Sequence, residues 1–267
     1  MTFKKPKINQ NFYHRFIDET GDLTIYGKGK KDIIGTEGVS KTFAIGMVSI
    51  KDDLDEVREK INSLISEIES YEYVKNIPSI KRRIDSGSFY FHAKDDVPEI
   101  RSKFFDLLKT IDFSLEIYVA RKRMDIFHKK HNNNENEFYA DILSHLLKNK
   151  LDKYSRLVLN IAQRGSSTSE VNLEISRDKA FDRSSLANGK KCKVVFNVQD
   201  FKNEPLLSIT DYASWAVQRV FEMGDTRHYD FIQEKISLVV DIYDFTKYKG
   251  SKNYYTKENP LTKDNKI

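Results

Sequence analysis

One cysteine, Cys192, stands in the 267 residues, so the chain can build neither an intramolecular disulfide framework nor a cysteine-rich zinc site. Nothing around it marks a nucleophile, and a small, partly buried side chain is its expected role. No run approaches the roughly 18 consecutive apolar residues that a membrane-spanning helix needs. The opening MTFKKPKINQ has no apolar secretory segment, which makes the cytoplasm the expected location. Glycine-rich phosphate turns are missing and the chain is short for two such halves, which argues against an actin-like ATPase. Internal repeats and a recognisable linker are missing too, which points to one domain.

Hydrophobic residues make up 39% and charged residues 32%, so a substantial core can form beneath a densely charged surface. Lys and Arg number 45 against 40 for Asp and Glu, a net +5 that permits contact with nucleic acid without requiring it.

FYHRFI at 12–17 alternates like a strand and breaks into Asp18 and Glu19. A loop rich in Gly and Lys leads to a second strand, KTFAIGMVSI at 41–50, and the two suggest a hairpin. DDLDEVREKINSLISEIES spaces Leu54, Val57, Ile61, Leu64, Ile65 and Ile68 as a helix with acids in its first turn. SFYFHA at 88–93 reads as a short aromatic strand carrying His92, and Pro98 opens a helix. Strands are expected at FSLEIYVAR (113–121), RLVLNIA (156–162) and KVVFNV (193–198), the last of these being the final strand expected. HKKHNNNENE reads as a loop before a helix marked by Phe138, Ile142, Leu143, Leu146 and Leu147; a weaker helix covers VNLEISRDKAF. PLLSITDYASWAVQRVFE is a helix with Pro205 in its first turn. The aperiodic, Lys-rich residues 250–267 read as a flexible tail after a single domain spanning 1–249. Helices and strands alternating after a hairpin imply an α/β fold, a mixed sheet flanked by helices and compatible with a ribonuclease-H-like layer.

In α/β sheets, sites gather beyond the carboxyl ends of strands, where Asp18 falls. A carboxylate there can bind a hard divalent cation but needs further acidic partners. On the late helix, Asp211 lies off the apolar stripe on a flank with Leu207, Ser214 and Gln218, from which it could face a cleft.

FIDETGD after an N-terminal strand, the aromatic segment ending in Phe91-His92-Ala93, Arg164-Gly165-Ser166 after a strand, and the LLSITDYASWAVQR helix occur in an order that resembles the bacterial and phage family catalogued as domain of unknown function 3800. The resemblance covers most of the chain. It implies a ribonuclease-H-like fold and a metal-dependent nuclease, often found near phage-defence and mobile elements. Carried over, its acids fall on Asp18, Glu19 and Asp211 and its histidine on His92. Ser208-Ile209-Thr210 stand where Gln-x-Ala is usual, and Asn160 stands on the strand where nucleases of this fold place another carboxylate. Glu116 and Asp200 are the candidate substitutes.

A complete site would hydrolyse RNA or DNA phosphodiesters with Mg2+ or Mn2+, as paired ions about 3.5–4 Å apart. Asp18 would bridge them, with Glu19, Asp211 and Asp200 or Glu116 completing the ligands and His92 moving a proton or holding the phosphate. Lys28, Lys30, Lys31, Lys81, Arg82, Arg83 and Arg164 are candidate phosphate contacts. A haloacid-dehalogenase-type phosphatase would need a second Asp where Thr20 stands. The non-enzymatic alternative is a nuclease-derived module that holds nucleic acid through these basic loops, or a partner protein through exposed aromatics such as Trp215.

Overall fold

A computed structural model of the chain describes residues 13–184 and 192–267. The β-rich, alternating opening forms β1 (Tyr13–Thr20), which turns through Gly21 and a long loop into β2 (Thr42–Ile50) and then, after helices, β3 (Phe113–Arg121). β1 pairs antiparallel with β2, aligning Asp18 with Gly46, and β2 pairs antiparallel with β3. The hairpin expected from the first two strands is therefore present. On the other side, β4 (Arg156–Ala162) runs parallel to β1, with Asn160 opposite Phe16, and β5 (Lys193–Gln199) runs parallel to β4.

Two strands that periodicity did not bring out extend the sheet: β6 (Ile236–Asp241), parallel to β3, and the two-residue β7 (Tyr254–Tyr255), antiparallel to β6. The order is β5-β4-β1-β2-β3-β6-β7. It is the mixed, helix-flanked α/β sheet expected from the sequence, and its β3-β2-β1-β4-β5 part, with β2 running against the rest, is ribonuclease-H-like.

Alternation along β1 divides the core between two faces. Phe16 joins one apolar cluster with α1 (Leu54–Ser70), α4 (Pro98–Thr110), α8 (Leu207–Met223) and α9 (Arg227–Ile232). Two short helices, α2 (Glu72–Lys75) and α3 (Pro78–Asp85), add Val74 and Ile80 to it. Ile17 joins the opposite cluster with α5 (Met124–His131), α6 (Glu135–Leu151) and α7 (Glu170–Arg183). Cys192 is buried there as a free thiol, which burial pushes up from its ordinary pKa.

Four expectations are corrected. The segment at 88–93 is not a strand, although Phe89, Phe91 and Ala93 are buried alternately. Side chains take the place of a neighbouring strand: Glu69 accepts from the Phe89 N–H, Arg83 donates to the Tyr90 carbonyl, and Asp96 accepts from the His92 N–H. Part of the polar tract HKKHNNNENE is helical, since α5 runs on until Asn132 takes a left-handed conformation at its end. Pro205 precedes α8 rather than lying in its first turn.

Nor do residues 254–267 form a frayed tail. β7 adds to the sheet, Leu261 and Asn265 are buried, and the Ile267 N–H donates to the Phe221 carbonyl at 2.8 Å. Among the described residues no helix is long and apolar enough to cross a membrane.

Candidate active site

FIDETGD is anchored residue by residue. The Phe16 carbonyl accepts from Thr210 Oγ1 (3.2 Å), Thr20 Oγ1 donates to Gln218 Oε1 (2.6 Å), and the Gly21 carbonyl accepts from Arg164 Nη1 (3.2 Å). Asp22 accepts from Ser40 and from the buried ammonium of Lys122 at 2.8 Å. Gly21 sits at φ +87°, and a Cβ there would lie 2.4 Å from the Thr42 carbonyl, so both conformation and space call for glycine.

These contacts fix the path of α8. It runs along β1 from Phe16 at Thr210 to Thr20 at Gln218, and Ser214 meets Gly46, the cross-strand partner of Asp18. Asp211, one turn before Ser214, is therefore delivered to the face of the sheet that carries Phe16 and Asp18. The flank with Leu207, Ser214 and Gln218 lies over the sheet rather than on an open side, and Asp211 is 6% exposed. Its Oδ2 accepts from the Ala93 N–H at 2.6 Å.

Glu19 points to the opposite face, because adjacent residues of a strand alternate. There Arg164 Nη1 lies 3.2 Å from Glu19 Oε1, the guanidinium sits over Phe43, and Glu19 Oε2 is buried without a hydrogen-bond partner.

Burial pushes the Asp18 carboxyl well above the usual range, and the charges of Glu19 and Asp211 push the same way. Asp211 is raised to about 6, chiefly by burial, with Asp95 and Asp96 adding and with His92 and the Ala93 N–H opposing. Glu19 rises to about 7 by burial, although Arg164 pulls it down. Among the described residues neither Asp18 nor Asp211 forms an ion pair with Lys or Arg. Two buried carboxylates on one face, neither ion-paired, are oxygen donors of the hard kind that Mg2+ or Mn2+ takes, with the Arg164 charge near enough to lower the Asp18 pKa.

His92 lies in the loop before α4, with Nδ1 3.2 Å from Asp95 Oδ2, and near enough to Asp211 to act on its titration. Neither substitute for Asn160 joins the pair. Glu116 faces α6 and is ion-paired with Lys150. Asp200 closes a turn after β5, accepting from the Asn203 N–H (2.8 Å) and Asn203 Nδ2 (3.0 Å). Asn160 itself is occupied, accepting from Asn197 Nδ2 (2.9 Å) and donating to the Arg15 carbonyl (3.3 Å). Among the described residues no group of three or more His, Cys, Asp or Glu side chains is arranged to hold a metal ion.

The basic candidates separate. Lys28, Lys30, Lys31, Lys81 and Arg82 are exposed, Arg164 reaches the acidic turn, and Arg83 is buried against Asp96 at 2.6 Å as a structural ion pair. Sequence reasoning missed Asp96, which holds Arg83, the Tyr212 hydroxyl and the His92 N–H together, and Arg101, whose Nε donates to the Ala93 carbonyl at 3.0 Å. Arg101 gave one signal, a polar residue beside the apolar stripe of an amphipathic helix; Asp96, in the loop before α4, gave none. A scan against family models and a search of curated proteins both found no match.

Proposed function

We propose that this protein is a divalent-metal-dependent nuclease that hydrolyses phosphodiester bonds of RNA or DNA, as its resemblance to the domain-of-unknown-function 3800 family implies. The observation that carries the reading is the convergence of Asp18 and Asp211, from the first strand and the late helix, as buried carboxylates without a cationic partner. They are the residues that would hold Mg2+ or Mn2+, and the bound ion would activate water and stabilise the leaving oxygen. The Ala93 N–H orients Asp211 through its hydrogen bond to Oδ2. His92, beside Asp211, is placed to hold a phosphate oxygen or pass a proton to the leaving group. Arg164 and the exposed Lys28, Lys30 and Lys31 supply positive charge for the backbone of the strand.

Cleavage of single- and double-stranded RNA and DNA, with and without Mn2+ or Mg2+, tests this. Asp18→Asn and Asp211→Asn should each abolish metal-stimulated cleavage while the circular dichroism spectrum is unchanged.

A second reading is favoured by Asn160, whose amide is consumed within the sheet, and by the missing third carboxylate. On that reading the fold is a nuclease-derived module that binds nucleic acid or a partner protein without cutting. Binding of strands by the wild-type protein with no cleavage under any metal condition would establish it.

A further inference from the structure

We propose that the cavity between α4 and α9 is a nucleotide-binding subsite, taking a phosphate on Arg101 and Arg227 and a planar base against Phe231. The cavity measures about 300 Å3, the lower end of the range for small-ligand pockets. Its lining carries two arginines, Arg101 and Arg227, against one acid, Asp106. Arg101 is half-buried yet spends its bonds on two neutral acceptors, the Ala93 and Asp96 carbonyls, and faces no carboxylate in an ion pair among the described residues. Arg227 and Arg219 share a single acid, Asp225, which Arg219 holds at 2.8 Å while Arg227 stands off at 3.6 Å. Arg227 lines the cavity and is 75% exposed. A guanidinium free to take a second acceptor suits phosphate, which it can bind through two parallel hydrogen bonds.

Three further lining residues, Phe105, His228 and Phe231, are aromatic. Phe231 is 42% exposed, meets Phe105 edge-on at 6.3 Å and has the Lys109 ammonium 5.4 Å from its ring centre, which adds positive charge beside the ring. His228 packs against Phe105 and Trp215 and completes the wall behind Phe105. A bare anion would leave the aromatic wall unused and an apolar amine would be repelled; a nucleotide uses both. Ser102 and Asp106, also in the lining, offer partners to a sugar hydroxyl.

The subsite adjoins the carboxylate pair. The Ala93 peptide donates to Asp211 and accepts from Arg101, and Arg101 lies over the Trp215 ring, 4.6 Å from its centre, one turn along α8 from Asp211. The occupant is either a free mononucleotide or the terminal nucleotide of a strand; only the second source rests on the nuclease reading.

Trp215 is the only tryptophan of the chain, so its fluorescence reports the cavity directly. Adenosine 5′-monophosphate titrated in EDTA should change the emission saturably, whereas adenosine and inorganic phosphate should not. Arg227→Gln and Phe231→Ser, both at exposed positions, should each weaken binding about tenfold or more, and Asp18→Asn should leave it unchanged. A 5′-phosphorylated hexa-adenylate binding at least tenfold more tightly than the mononucleotide identifies a strand terminus as the occupant; equal or weaker binding identifies the free nucleotide. The proposal is overturned by no saturable response to either ligand, or by affinities that survive both substitutions. Absent cleavage with intact nucleotide binding would defeat the nuclease reading alone.

Discussion

Gly46 and Ser214 meet with no room between them: a Cβ on Gly46 would fall 2.1 Å from Ser214 Oγ and 3.4 Å from its Cβ. This contact lets α8 lie close over β1 and β2, and so carries Asp211 to the level of Asp18. Gly46→Ala should therefore cost about 1–3 kcal/mol, the usual penalty for overpacking, even though alanine suits a strand better than glycine. Ser214 Oγ is buried without a partner, so Ser214→Ala alone should be neutral or stabilising, and in the Gly46→Ala background it should recover much of the loss. Urea unfolding of the four proteins measures this, and additive effects would disprove the contact.

The site acids make stability depend on pH in a definite direction. Asp211 is raised from 3.8 to about 6 and Glu19 from 4.5 to about 7, and Asp18 is raised as well. Over these windows the folded state binds more protons than the unfolded chain, so the stabilisation is complete below the unfolded values and is lost as pH rises through the folded ones. Without divalent metal, these groups should make the protein less stable at about pH 8 than at about pH 5. Asp18→Asn or Asp211→Asn should flatten that dependence and raise Tm at the higher pH. Millimolar Mg2+ should raise the Tm of the wild type at the higher pH and not that of Asp18→Asn. Thermal scans across pH, with and without Mg2+, check both.

Arg164 is the cation that faces Glu19, and Glu19 is almost fully buried. Arg164→Met would strand a buried carboxylate, a change that costs about 3–5 kcal/mol when the acid stays ionised. Because burial already favours the protonated form, the destabilisation should be larger at about pH 8 than at about pH 5. Glu19→Gln in the same background should remove most of that pH dependence. Denaturant melts at the two pH values decide it; a loss independent of pH would mean that Arg164 acts by packing on Phe43 instead.

Periodicity located the helices and strands whose apolar residues face one direction. β3 and β4 have the same bounds in the structure as in the sequence reading, and α1 and α8 differ by a residue or two. It failed where burial alternates without a neighbouring strand, as at Phe89, Phe91 and Ala93, whose backbone is satisfied by Glu69, Arg83, Asp96 and Asp211 from elsewhere. Asp18 and Asp211 could be named from the sequence because a charge that interrupts an apolar strand and a helix flank are local features, although β1 runs on through Thr20 and Asp18 lies within it rather than at its end. Glu19 was expected to complete the same metal site, and its place on the opposite face with Arg164 corrects that expectation, for a reason that strand alternation already contained. The engagement of Asp200 by Asn203, and of Glu116 by Lys150, was not, because each depends on a partner that only the turn or the packed helix supplies.

The C-terminal residues are the clearest case of local composition misleading. Lysines and the absence of periodicity suggested fraying, yet Tyr255 and Leu261 are 5% and 3% exposed, and the Leu261 N–H donates to the Tyr229 hydroxyl at 3.2 Å. Tertiary contacts with α8 and α9 order a segment that has little helix or strand tendency of its own. Leu261→Ala should therefore destabilise the protein by about 2–5 kcal/mol, as truncation of a packed core leucine does. A substitution in a solvated tail would shift stability by less than about 0.5 kcal/mol. Chemical denaturation distinguishes the two outcomes, and limited proteolysis should show residues 254–267 protected in the wild type and cut early in Leu261→Ala.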